Sequence, residues 1–316
     1  MQTLDTKLIS NVEFLSELIR IALDVPVVTN NKKEKFLNIP AGVDIETSSF
    51  YQGMDKVAIM YEWTFGIGYL KDGEFKTMIT YGRTWEQYMN FIDWISEILS
   101  LTNSKTRLVV YVHNLPYEWQ FMRRHFSWTK VFFMDDRKPV YCIDAHNIEY
   151  RCSLKLSGKS LANTAKDLLK YQTEKMVGDL DYNLIRHPET PLTERELKYC
   201  EHDIAVILAY IQEKIEQEGD ITKIPLTKTG YVRRYCKRAM FPQGKVLEDE
   251  NTHAEINFEA VGVSRTERMF SRWLYPRQCS PSRDDSYESW FIRLYEQLSS
   301  VYGSFSVSDG HRKIHR

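Results

Sequence analysis

Between residues 41 and 153 the chain carries a succession of short runs rich in β-branched and aromatic residues. They are Ala41 to Ile45, Val57 to Ile67, Lys76 to Tyr81, Arg107 to Val112, Val131 to Met134, Val140 to Asp144 and Ile148 to Ser153. Helical periodicity interrupts them at Trp85 to Leu99 and at Tyr117 to Phe126. Strands that first follow one another and then alternate with helices predict a mixed β-sheet flanked by helices, an α/β domain. A longer helix is expected from Thr193 to Gln217. Thr193 with Glu196 three residues later reads as a capping box, and Cys200, Ile204, Ile207, Leu208, Ile211 and Ile215 form an apolar stripe. Residues 5 to 24 predict a further helix, ended by the polar stretch Asn30 to Lys35.

One of these runs is chemically unusual. In Val43, Asp44, Ile45, Glu46, Thr47 two carboxylates stand at i and i+2 on a hydrophobic strand, so both point to the same face of the sheet. Two buried acids side by side repel unless a cation lies between them, which makes a divalent metal their natural partner. A solvated strand face is the alternative for the pair taken alone. Another carboxylate, Glu118, follows the strand RLVVYVH in Asn114, Leu115, Pro116, Tyr117, Glu118, where a helix begins outside the strand's carboxyl end. Asn114 is expected to cap that helix. Tyr199 and Asp203, in Tyr199, Cys200, Glu201, His202, Asp203, are i and i+4 on one helix face.

Composition narrows the function classes. The 42 Lys and Arg against 43 Asp and Glu leave a net charge of −1, so no global field draws the chain to nucleic acid or membrane, and such affinity must come from a local groove. Cys142, Cys152, Cys200, Cys236 and Cys279 never form C-x-x-C, which fits reduced thiols buried as small hydrophobes. The acid-bearing N-terminal segment reads as neither leader nor membrane span, and a cytoplasmic location without membrane partners is expected. His113, His146, His187 and His202 have no metal-ligand spacing. Lys155, Lys159, Lys166 and Lys170 fit equally the edge of a single-strand groove and a solvated helix face.

Taken in order, DIET, NLPYE and YCEHD resemble the three exonuclease motifs of family-B DNA polymerases, the acidic exonucleases with a tyrosine in the third motif. The similarity is greatest to the protein-primed polymerases of phages and linear plasmids, and Ser153-Leu154, AKDL at 165–168, VGDLDY at 177–182 and IPLTKTG at 224–230 extend it over about residues 40 to 238. The resemblance implies a ribonuclease H-like exonuclease fold. It also implies that Asp44, Glu46, Glu118 and Asp203 hold two divalent ions, Mg2+ or Mn2+, roughly 4 Å apart, for hydrolysis at the 3′ end of single-stranded DNA. Tyr199 then orients the attacking water. Thr47, Asn114, Tyr117, Ser153, Leu154 and Lys175 contact the nucleic acid, Tyr117 by stacking. In the full-length family a terminal protein primer is a further partner. One departure stands out: the second motif usually ends in Asp and here ends in Glu118, one methylene longer, which implies a reduced rate.

From about Ala239 onward the periodicity fades. The stretch Arg272 to Gln278 admits codons that, read one nucleotide later, spell G-G-F-T-H-A-N, and Arg293 to Ser299 likewise admits D-F-T-S-S-Y-P. Both strings resemble protein-primed polymerases and fall in that family's order, the second being its first metal-binding palm motif. A frameshift between about Tyr235 and Glu255 is therefore expected. The domain reading that follows is an N-terminal helical extension over 1–39, an exonuclease domain over 40–235, and an out-of-frame, poorly packed tail over 236–316. Two competing readings are a catalytically silent remnant that at most binds single-stranded nucleic acid and a stand-alone nuclease acting on RNA.

Overall fold

The computed structural model of the chain describes residues 2–4, 6–173 and 184–240. The expectations for Lys175, for VGDLDY up to residue 182 and for the tail from residue 241 lie outside the described residues.

Strand β1 (Gln2–Thr3) and helix α1 (Asn11–Ile21) are followed by two short strands, β2 (Val27–Thr29) and β3 (Lys35–Leu37). Then come β4 (Ala41–Gln52), β5 (Asp55–Lys71), β6 (Glu74–Gly82), α2 (Trp85–Ile98), the single turn α3 (Leu101–Ser104), β7 (Thr106–Val112) and α4 (Leu115–Met122). The hairpin β8 (Trp128–Asp135) and β9 (Lys138–Asp144) leads to β10 (Ile148–Cys152), short helices α5 (Ser153–Ser157) and α6 (Leu161–Lys166), and β11 (Tyr171–Gln172). The long helix α7 (Glu194–Glu218), a 3-10 turn (Ile221–Lys223) and α8 (Lys228–Met240) complete the described chain.

Among the described residues β2 to β10 form one nine-stranded sheet, ordered β6-β5-β4-β7-β10-β9-β8, with β3 added beside β7 and β2 beside β3. The pairings of β4 and of β10 with β7 are parallel, whereas β4 with β5, β5 with β6, β9 with β10 and β8 with β9 are antiparallel. This is a mixed α/β sheet, as the sequence pattern predicts. The near-continuous apolar run of β7 suits a parallel strand covered on both faces. Its Leu108, Val110 and Val112 enter a core with α1, α2 and α4, while Val109 and Tyr111 enter a second core under α7. Alternation in β4 and β5 follows the same division, with Val43, Ile45, Trp63, Phe65 and Ile67 in the first core.

The first 39 residues, expected as a helical extension, also supply β1 to β3. Phe14 and Leu18 of α1 are fully buried in the first core, and Lys35 and Phe36 of β3 pair with Thr106 and Arg107. Strands of two or three residues are too short to show a period, so in sequence this stretch shows only the polar run Asn30 to Lys35 that ends the expected helix. Among the described residues no helix is long and apolar enough to cross a membrane.

At the far end of β9, Asp144 accepts the backbone N–H of His146 and of Ile148, each at 2.9 Å. The imidazole of His146 lies between two acids, Nε2 at 2.7 Å from Asp93 Oδ1 and Nδ1 at 3.4 Å from Asp144 Oδ2. The hydrogen bond to Asp144 leads in raising its pKa, against partial desolvation and with the help of Asp93. A cation whose pKa is higher folded than unfolded stabilises the fold fully below the unfolded value of about 6.5, and that contribution is lost as pH rises through the raised folded value. The difference in melting temperature between the protein and its His146→Ala variant should therefore narrow from pH 6 towards pH 9. A difference that stays constant across that range would refute the assignment.

Candidate active site

The two sequence-predicted strand acids sit on the α7 face of β4, on successive rungs shared with β5. Gly42 pairs with Gly66, Asp44 with Thr64 and Glu46 with Glu62. The glycine rung sets how close α7 comes. A Cβ on Gly42 would stand 2.9 Å from Cγ2 of Ile207, and one on Gly66 would stand 2.5 Å from Cγ2 of Ile204 and 3.0 Å from Cδ1 of Leu208. With no side chain in the way, the helix lies directly on the sheet. Its preceding turn, with Tyr199, Cys200 and Asp203, is thereby brought over the acid rungs. All three are buried. The Cys200 thiol reports the crowding: burial pushes its pKa well up, and the charges of Glu62, Glu46, Asp44 and Asp203 push it further.

Glu118 reaches the same cluster from α4. The helix starts immediately after β7, through Asn114 in the left-handed region at φ 76°. Asparagine tolerates that conformation better than most residues. Asn114 holds the N-cap position as expected, yet its side chain makes no capping bond; its carbonyl accepts the Tyr117 N–H at 2.8 Å instead. The turn buries Glu118, only 4% exposed, beside Asp44 and Glu46. Burial first, and then those two charges, raise its pKa well above the usual carboxylate range. Its Oε2 is buried with no hydrogen-bond partner.

Residues that sequence reasoning did not single out hold this arrangement in place. The β4–β5 register shifts between Glu46 and Thr47, so that Tyr61 is the extra residue of a bulge. Arg83 Nε donates to the Tyr61 carbonyl at 2.8 Å, while its Nη2 donates to the carbonyls of Thr190 (2.7 Å) and His187 (3.1 Å). One guanidinium thus ties the bulge to the segment that leads into α7. Arg186, itself buried, donates from Nε to Glu196 Oε1 at 2.7 Å and lies over the Tyr61 ring. Glu196 is also the N3 residue of the expected capping box with Thr193. Glu62, a fifth acid, is 1% exposed, and burial pushes its pKa up to about 8 against the opposing hydrogen bond from Thr64.

The remaining expected contacts are placed unevenly. Thr47 and Tyr117 meet, hydroxyl to hydroxyl at 2.6 Å, and Tyr117 is 45% exposed with Phe121 at 5.4 Å between ring centres. This makes an aromatic lip beside the acids. Ser153 is buried at the start of α5, its Oγ 3.1 Å from His113 Nδ1, and Leu154 packs partly buried against the first core. Lys159 pairs with Asp167 at 2.5 Å and Lys170 with Glu216 at 2.7 Å, each inside a local ion pair.

A metal requires a fit test. The donors are hard carboxylate oxygens, and Glu118 Oε2 among them is buried without a hydrogen-bond partner; this donor chemistry suits magnesium or manganese. Among the described residues, however, no group of three or more His, Cys, Asp and Glu side chains is gathered tightly enough to grip an ion as it stands. The donor type therefore suits such an ion, while the arrangement of the described side chains does not.

The chain is similar in fold to Phi29 DNA polymerase. A solved structure of that polymerase with single-stranded DNA aligns at 17% identity and a TM-score of 0.46. Its ternary complex with primer-template DNA and incoming nucleotide aligns at 16% and 0.43. Either alignment covers 65% of this chain and 35% of the polymerase, so the chain spans about a third of that protein's length. No family model and no curated protein matches the chain.

Proposed function

We propose that this chain is a 3′→5′ exonuclease of the proofreading type, acting on single-stranded DNA ends and related to protein-primed family-B polymerases. The observation that supports the reading is that Glu118 of α4 lies beside Asp44 and Glu46 of β4, while Cys200 of α7 feels the charges of Asp44, Glu46 and Asp203, so acids from three separate elements share one neighbourhood. Asp44, Glu46, Glu118, Tyr199 and Asp203, in that order along the chain, are the residues on which the motif resemblance rests.

In this reading Asp44, Glu46, Glu118 and Asp203 would hold two divalent ions, which when bound would supply a water for attack and offset charge at the terminal phosphodiester. Tyr199 orients that water through its hydroxyl, because a phenol of ordinary acidity is too weak a base to remove the proton itself. The lip of Thr47 and Tyr117, with Asn114 at the helix start, holds the terminal nucleotides. Ser153, Leu154 and Lys175 extend the contact along the strand. The longer arm of Glu118 is accommodated by a change of rotamer.

The test is a 5′-labelled oligonucleotide incubated with the protein and Mn2+ or Mg2+. A ladder shortening from the 3′ end supports the reading; cutting from the 5′ end or internally refutes it. Stacking on Tyr117 gives a second expected outcome. Tyr117→Ala should weaken the apparent affinity for single strands roughly tenfold, from about 1–3 kcal/mol per stacked base, with a smaller effect on turnover. A change in turnover alone would place Tyr117 elsewhere in the reaction.

The loose spacing of the acids favours a second reading, a catalytically silent remnant that binds single strands without cutting them. Binding of the same oligonucleotide without digestion in either metal would select it. The frameshift is a proposal of its own, supported by the two shifted-frame strings. The nucleotide sequence across residues 235 to 255 tests it directly.

A further inference from the structure

We infer that the outer face of α8 and the last turn of α5 form a basic path for the backbone of a single-stranded nucleic acid, with Lys155, Lys228 and Arg233 as its phosphate contacts. The inference rests on the exonuclease reading for which end of the strand lies at the acids.

In a chain whose charges nearly cancel, residues 221–240 carry six cations, Lys223, Lys228, Arg233, Arg234, Lys237 and Arg238, and no acid. Such a run supplies locally the positive potential that the whole chain lacks. Part of it docks the helix: Arg234 pairs with Glu218 in the last turn of α7, and Lys223 pairs with Asp220 at 2.8 Å. Tyr231, one turn before Arg234, packs against the second core. That docking turns the other side of α8 outward, where Lys228 and Arg233 are exposed and Tyr235 is 61% exposed. Cations joined to an open tyrosine suit a single strand, whose phosphates meet the charge and whose bases stack.

The same face continues towards the candidate site. Helix α5 opens with Ser153 directly after Cys152, which pairs with Val112 at the end of β7 that leads to Asn114. It therefore leaves from the end of the sheet where α4 brings Glu118 beside Asp44 and Glu46. Gly158, at φ 65°, caps the other end of α5, and a Cβ there would stand 2.9 Å from Cδ of Lys228. The Lys228 stem thus lies on the turn that carries Lys155. The five residues of α5 span about 8 Å, so a strand with its 3′ end at the acids passes Ser153 and reaches Lys155 and Lys228 within a few nucleotides. Lys159 and Lys170 are held by Asp167 and Glu216, whereas Lys155, Lys228 and Arg233 have no ion pair among the described residues.

The experiment measures binding of a 5′-labelled oligothymidylate of about 12 nucleotides to the full chain, without divalent metal, over a range of salt concentrations. In a chain carrying Lys228→Gln and Arg233→Gln, the fall of log affinity with log salt should flatten by roughly 1.4, from 0.7 for each lost phosphate contact. Lys155→Gln alone should flatten it by about 0.7. Lys228→Arg with Arg233→Lys keeps both charges and should keep the parent slope. An unchanged slope in the glutamine variants overturns the inference. An equal loss of affinity for a blunt duplex also overturns it, because the patch would then serve any polyanion. Shortening of a trinucleotide by the parent chain in Mn2+, a strand too short to reach α8, tests the exonuclease reading separately. Trinucleotide shortening with an unchanged slope sinks the basic path alone, and a flattened slope without shortening supports the basic path and sinks the exonuclease reading alone.

Discussion

A chain carrying both Asp44→Ala and Glu46→Ala should lose its exonuclease activity by roughly a thousandfold or more, about 4 kcal/mol of barrier at 1.36 kcal/mol per factor of ten. The two carboxylates lie on the central strand of the cluster. Glu118 from α4 and Cys200 from α7 both feel their charge, so they are the pair through which the separate elements meet. Removing them takes away the anions common to any ion the site holds. The fold should survive the change, because two partly buried like charges leave the side of Glu118 and the apolar Val43 and Ile45 on the opposite face are untouched. Metal-free melting temperature at or above that of the parent, together with lost 3′ shortening, is the expected pair of results. Equal digestion by parent and double variant would show that the activity comes from a contaminant or from another site.

What could be read from the sequence, and what could not, divides along physical lines. Asp44 and Glu46 share a face because a strand has a period of two, and Tyr199 and Asp203 share one because a helix brings i and i+4 together. Both facts are local, and the structure places these residues accordingly. The capping box of Thr193 and Glu196 is equally local and equally legible. Glu62 was hidden inside a run that reads as strand, since its importance depends on which residue of β4 it faces. That register is fixed by the hairpin and by the bulge after Glu46, neither of which a single strand's pattern specifies. Arg83 was illegible for the same reason: its partners, Tyr61, His187 and Thr190, are separated widely in sequence and offer only backbone carbonyls. Cys200 reads correctly as buried, but burial alone did not distinguish an apolar wall from a seat among carboxylates.

Gly66→Ala should unseat the site from outside it. The added Cβ would stand 2.5 Å from Ile204 Cγ2, 3.0 Å from Leu208 Cδ1 and 3.3 Å from Ile79 Cγ1, so the clash falls on two residues of α7 and one of β6 at once. Overpacking of a tight core costs about 1–3 kcal/mol, or a fall in melting temperature on the order of 2–10 °C for a unit of this size. The effect on activity should be larger than that loss of stability implies. Ile204 follows Asp203 directly, so a helix lifted off the glycine rung takes Asp203 and Tyr199 away from Asp44 and Glu46. Ile204→Ala in the same chain removes the first obstacle. In a double-mutant cycle the cost of Gly66→Ala should then shrink, because the two changes share one contact. Stability losses that simply add, or a Gly66→Ala protein that is destabilised yet cuts single strands at the parent rate while folded, would mean that α7 does not set the position of Asp203 through its seat on the glycine pair.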